Sequence, residues 1–241
     1  MYFVKRIALG LLAVIVLAVG GAVAWFLYQG SAGGDLEFFA SDIEAFVEAD
    51  RAAPPAPGGI VFVGSSSIRL WTTLAEDMAP LPIIRRGFGG AHLLHVNHAL
   101  SRIVIPYAPR AVVLYAGDND IAYGRTAEAV TGEFKQFVQA IHAALPETDI
   151  WYLSMKPTKT QAIFWPELSR GNRQIAAVAK DDRRVQFIDA DALLLTAEGK
   201  ANGDLLRFDG IHLNDKGYAV WTSLIRPPLL AAYGPAAGAA R

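Results

Sequence analysis

Four short stretches of this chain carry side chains suited to acyl transfer. The first, Gly64-Ser65-Ser66-Ser67, places hydroxyls directly behind the apolar run Ile60–Val63. The second, Arg85 to His92 (RRGFGGAH), is glycine-rich backbone that can approach a ligand closely. The third, Gly117-Asp118-Asn119-Asp120, holds an amide side chain, and the fourth, Asp209-Gly210-Ile211-His212, sets a carboxylate three residues before an imidazole. A serine hydroxyl is a poor nucleophile until a neighbouring imidazole accepts its proton, and a carboxylate holds that imidazole in the right tautomer. Charge then builds on the carbonyl oxygen and needs preorganised donors, which backbone N–H groups and an Asn amide supply. The inventory fits acyl transfer.

Such groups need a scaffold that brings them to one edge. Five β-rich runs, Ile60–Val63, Ile83–Arg86, Ala111–Tyr115, Ile150–Ser154 and Val185–Ile188, alternate with helical patterns over Ile68–Met78, Ala91–Ile103, Thr126–Ala144, Pro166–Ala179 and Lys216–Leu230. An amphipathic helix is expected ahead of them, from Asp35 to Asp50, ended by the Pro/Gly-rich stretch Ala52–Gly59. Alternation of this kind predicts an α/β fold with a parallel sheet and helices on both faces. The first, third and fourth runs are nearly continuous apolar sequence, as strands covered on both sides require. Ligands in such folds bind beyond the carboxyl ends of the strands, and the first three motifs each follow a strand.

These four blocks, in this order, resemble the SGNH/GDSL hydrolase superfamily, specifically its bacterial GDSL-like lipase/acylhydrolase family, over roughly residues 59–230. The resemblance implies a three-layer α/β/α domain with a five-stranded parallel, flavodoxin-like sheet and an acyl-serine mechanism without metal or cofactor. It carries the nucleophile to Ser66, the general base to His212 and the orienting carboxylate to Asp209. The oxyanion donors become Ser66 N–H, Gly90 N–H (with Gly89 the nearest alternative) and the Asn119 amide. Ser65 stands where the family's first block has Asp, and Leu213 follows His212 where Pro is frequent.

Plainer roles are expected elsewhere. Ser65 and Ser67 are read as turn-shaping and capping residues. Gly87–Gly90 fails the dinucleotide fingerprint, since His92 occupies the third glycine position. Gly117–Asp120 lacks the Gly and Glu of a calcium loop. His92, His95 and His98 are read as a partly exposed helix face near the site rather than zinc ligands, and His142 as a surface residue. Asp189 and Asp191 are the rivals of Asp209 for the histidine. Trp151, Phe164 and Trp165 are candidates for a pocket wall.

The 241 residues carry a net charge of -1, 53 % hydrophobic content and no cysteine. These values accommodate one full α/β core, exclude thiol chemistry and disulfides, and leave no concentrated basic face for nucleic acid. The run from Ile7 to Tyr28 is uncharged, follows Lys5-Arg6 and contains Trp25 and Tyr28 near its end. As a helix it would span roughly 33 Å, close to a hydrocarbon core of about 30 Å. It is expected to be a transmembrane anchor with its N-terminus in the cytoplasm and the following domain outside; the competing reading is a cleaved signal peptide, with Ala22-Val23-Ala24 as the cleavage motif and a secreted product. The expected organisation is an anchor or signal at 1–29, a linker and leading helix at 30–58, a hydrolase domain at 59–232 and a loose tail at 233–241. The expected function is a serine esterase acting on small acyl or O-acetyl groups of envelope material. The alternatives are a lysophospholipase or thioesterase-type lipid hydrolase, or an exported, non-catalytic binding domain on the same fold. The expected partners are an ester substrate and a membrane; oligomeric state is not legible.

Overall fold

The computed structural model describes residue 20 and residues 32–235. The run at 7–28 and the end of the tail lie outside the described residues, apart from residue 20, and no described helix is long and apolar enough to cross a membrane.

Five parallel strands form the sheet: β1 (Ile60–Gly64), β2 (Ile83–Gly87), β3 (Ala111–Tyr115), β4 (Asp149–Leu153) and β5 (Val185–Ile188), in spatial order β2-β1-β3-β4-β5. Ile60 sits in register with Ile83 on one side and with Ala111 on the other. Every residue of β1 and β3 is buried, which explains their unbroken apolar sequence. Each of the five expected strands is present, with ends displaced by at most one residue.

Side chains alternate between the two faces of a strand. Ile60, Phe62, Val113 and Tyr115 pack with Trp71, Trp221, Ile225 and Leu229, so one face is covered by the short helices α2 (Ser66–Arg69) and α3 (Leu74–Asp77) and by the long α8 (Asp215–Tyr233). The opposite face carries α4 (Leu93–Ile103), α6 (Ala127–Ala144) and α7 (Trp165–Lys180), with Phe134 of α6 edge-on to Tyr152 of β4 at 5.0 Å. The fold is the expected three-layer α/β/α sandwich. The leading helix α1 runs from Ala40 to Ala52, later than the Asp35–Asp50 expected. Its start is fixed by Phe39, buried against Phe88 and His95, while Asp35 accepts the Glu37 N–H in a turn.

Two helices depart from the sequence pattern. The expected Ile68–Met78 helix is split into α2 and α3, because Trp71 Nε1–H and the Thr73 hydroxyl both donate to the Asp77 carboxylate and turn the chain between them. A five-residue helix, α5 (Asp118–Ala122), follows β3 directly and was not expected. Strand order reverses between β1 and β3, the switch point where sheets of this type leave a crevice at their carboxyl ends. Ser66 follows β1 and Asn119 follows β3, so the fold delivers both to that crevice.

Candidate active site

Gly64 ends β1 at φ +145°, and a Cβ there would stand 1.9 Å from the Tyr115 carbonyl oxygen. Only glycine lets the chain turn so close to β3. The Ser65 N–H then donates to Tyr115 O at 2.9 Å, and Phe88 N–H donates to Gly64 O at 3.0 Å, so the turn is tied to both neighbouring strands. Ser66 is the first residue of α2 and is half-buried.

Ser66 Oγ lies 2.9 Å from His212 Nε2, across 146 residues of sequence. His212 Nδ1 lies 2.8 Å from Asp209 Oδ2. The other oxygen, Asp209 Oδ1, accepts from Ile211 N–H at 2.8 Å and His212 N–H at 3.0 Å, so the four-residue loop closes on its own carboxylate. Partial burial pushes the Asp209 carboxyl up, but the bonds from the His212 ring, the His212 N–H and the Ile211 N–H outweigh it and hold the group below its ordinary value. An ionised carboxylate on Nδ1 leaves Nε2 free to accept a hydroxyl proton. The loop is braced from the β4 side: Lys159 N–H donates to Gly210 O at 2.8 Å and the Thr160 hydroxyl to Asp209 O at 2.6 Å.

Gly90 adopts φ +86°. Gly89 is hemmed in differently, since a Cβ there would meet the Arg69 guanidinium at 2.7 Å. Asn119 Nδ2 donates to Ala91 O at 3.0 Å, joining the third block to the glycine loop. An amide carries two N–H donors, so this bond leaves one for a ligand.

A model of the GDSL-like Lipase/Acylhydrolase family matches residues 58–220. The chain belongs to that family. It is an ester hydrolase. Platelet-activating factor acetylhydrolase IB subunit alpha1 of Pongo abelii is 29 % identical over 165 residues, covering 66 % of this chain and 70 % of that one. Among solved structures, a GDSL-like lipase from Bacteroides thetaiotaomicron superposes with a TM-score of 0.70 at 20 % identity, covering 79 % of this chain and 98 % of the other. An acetylxylan esterase from Geobacillus stearothermophilus gives 0.58 at 12 % identity, covering 70 % and 93 %. Both likenesses are of fold.

Several supports of this acylhydrolase site were not legible in the sequence. Beneath Asn119, Asp118 Oδ1 accepts the Asn119 N–H at 3.1 Å, while Oδ2 accepts the Tyr115 hydroxyl at 2.7 Å and faces Lys156 Nζ at 3.4 Å. Lys156 is 1 % exposed, and its Nζ also donates to Tyr115 Oη at 3.0 Å, so the buried charge is paired and hydrogen-bonded. Asp120 Oδ2 accepts the Leu93 N–H at 3.0 Å and fastens the start of α4 to α5. Burial pushes the Asp120 carboxyl up to about 7, against the opposing pull of the Leu93 N–H and Arg125.

Other sequence readings change. Ser65 occupies the cap position of α2, but its side chain caps nothing: the Oγ atoms of Ser65 and Ser67 are fully buried without a hydrogen-bond partner. Backbone atoms do the work instead, with Ser65 O accepting from Ile68 and Arg69, and Ser67 O accepting the Tyr218 hydroxyl. His92 and His95 are buried rather than partly exposed, packed among Phe39, Tyr123 and each other; only His98 of the three faces solvent. His142 is partly buried, its Nε2 lying 3.2 Å from Thr148 O. Asp191 is held by the Asn172 amide at 3.2 Å, while the His212 ring is held by Asp209. Trp165 lines a cleft of about 420 Å³ with Pro157, Ala162 and Leu195, whereas Trp151 packs against the core and donates to the Tyr233 hydroxyl.

Proposed function

We propose that the chain is a serine esterase working through an acyl-serine intermediate, with a preference for small acyl groups and acetyl foremost. Ser66 Oγ attacks the ester carbonyl as His212 Nε2 takes its proton. Asp209 holds the imidazole and balances the charge it acquires. Ser66 N–H, Gly90 N–H and the free Asn119 amide N–H receive the oxyanion. His212 returns the proton to the leaving alcohol, then activates a water that releases the acid.

The observation that carries this reading is the unbroken relay from Ser66 Oγ to His212 at 2.9 Å and from His212 to Asp209 at 2.8 Å. The acetyl preference draws support from the names of relatives, one an acetylhydrolase and another an acetylxylan esterase. The charge pattern around residues 7–28 supports an anchored domain facing out of the cytoplasmic membrane, which favours O-acetyl groups of envelope material as the substrate.

A series of p-nitrophenyl esters from acetate to dodecanoate tests the proposal. The protein is expected to hydrolyse acetate and butyrate fastest, with Ser66→Ala abolishing turnover. Full activity in Ser66→Ala rejects the mechanism; a maximum at long chains rejects the substrate class.

A further inference from the structure

Three arginines around the nucleophile, like Arg173 and Arg226 elsewhere, lack a carboxylate partner. Arg86 is paired with Asp50, Arg125 with Asp120 and Glu133, and Arg184 with Asp182. Among the described residues, no carboxylate stands within ion-pair distance of Arg69, Arg85 or Arg207. All three border the nucleophile turn. Arg85 donates to the carbonyl oxygens of Arg69 and Trp71 at 3.3 and 2.8 Å. Arg207 donates through Nε to Leu213 O at 3.0 Å, just past His212. Neither bond uses a negative partner, so both cations add to the local field in a chain whose net charge is only -1.

Arg69 is the best placed. It follows Ser66 by three residues on α2, and residues so spaced share a helix face. Its guanidinium bends across the glycine loop: Cζ and Nη2 each lie 2.7 Å, and Nε 2.9 Å, from where a Gly89 Cβ would be. The guanidinium thus lies over Gly89, and the next residue is Gly90. Arg69 is exposed, and its guanidinium donors point to no acceptor among the described residues. A planar fork of unused N–H donors lying over the glycine loop of an ester-cleaving site is matched to an oxygen-bearing anion.

We propose that Arg69 is a specificity determinant that selects esters bearing a carboxylate or phosphate close to the scissile bond. The proposal rests on the Ser66 mechanism and refines its substrate class to anionic esters. The same guanidinium serves a carboxylated sugar or a phosphate-bearing headgroup, and the two sources are separated by experiment.

The test compares acetate release from 4-acetoxybenzoate with that from its neutral methyl ester, at low salt, in the wild type and in Arg69→Ala, Arg69→Lys and Arg173→Ala. Arg173 is a solvent-facing charge on α7 whose guanidinium bonds only Ser169, and it serves as the control. The anionic-to-neutral ratio of kcat/KM is expected to fall about fivefold in Arg69→Ala, through KM, and about 0.5 M NaCl is expected to lower it similarly in the wild type. Arg69→Lys should retain part of the ratio and Arg173→Ala all of it. Acetylated galacturonic acid against acetylated galactose, and acetylglycerol phosphate against acetylglycerol, then identify the carboxylate or the phosphate source. An unchanged ratio in Arg69→Ala with the neutral ester still cleaved overturns this inference alone. Absence of turnover on both esters overturns it together with the Ser66 reading.

Discussion

The side-chain amide of Asn119 donates to the carbonyl oxygen of Ala91 at 3.0 Å, so two loops that follow different strands are locked to each other. Asp120 repeats the connection one residue on, through the Leu93 N–H. The oxyanion donors of the proposed mechanism are thereby fixed before any ester arrives, which is the condition under which such donors lower a barrier rather than merely bind.

Asn119→Ala should therefore lower kcat by about 10²–10³ with KM little altered, as expected for a donor engaged in the transition state. Steady-state kinetics on p-nitrophenyl acetate decide it; a change confined to KM contradicts the assignment.

Asp120→Asn keeps an acceptor for the Leu93 N–H but removes a buried charge. Because the folded-state pKa is raised to about 7 from 3.8, the contribution of Asp120 to stability is complete below its unfolded value and is lost as the pH rises through about 7. Urea titrations should show the wild type losing stability relative to Asp120→Asn between pH 5 and pH 8, on the order of 1–2 kcal/mol. A constant difference across that range contradicts the account.

His92 has the opposite sign. Burial foremost, then His95 and Arg125, lower its pKa from 6.5 to about 4, with Asp118 opposing. Its contribution is complete above pH 6.5 and is lost as the pH falls through about 4. His92→Phe should lose less stability than the wild type between pH 7 and pH 4, by on the order of 2 kcal/mol in urea unfolding.

Ser65→Ala should be neutral or stabilising by up to about 1 kcal/mol, because it removes a buried hydroxyl that bonds to nothing. Gly64→Ala is the contrasting change one residue earlier: the clash with Tyr115 O at 1.9 Å should cost more than about 4 kcal/mol or prevent folding. Thermal melting of the two variants side by side tests both statements.

The strands were legible because β1 and β3 are buried on both faces and must be written in apolar residues throughout. The long helices α6 and α8 were legible from their periodicity. Helices α2 and α5 were not, since four or five residues carry too few turns to show a period. The roles expected of Ser66, Asn119, Asp209 and His212 came from the resemblance of their motifs to a family, and their supports left no such signal. No motif marks Lys156, whose partners Tyr115 and Asp118 lie about forty residues away, and His92 and His95 read as partly exposed until Phe39, just ahead of α1, packs against His95. Contacts between residues far apart in sequence leave no local pattern to read.

The central claim is that Ser66 is the nucleophile. Intact-mass measurement after exposure to a fluorophosphonate, followed by peptide mapping, tests it most directly. The account predicts one adduct per chain on Ser66, none in Ser66→Ala, and loss of esterase activity in step with labelling. An adduct on another residue, or full esterase activity in Ser66→Ala, would contradict it.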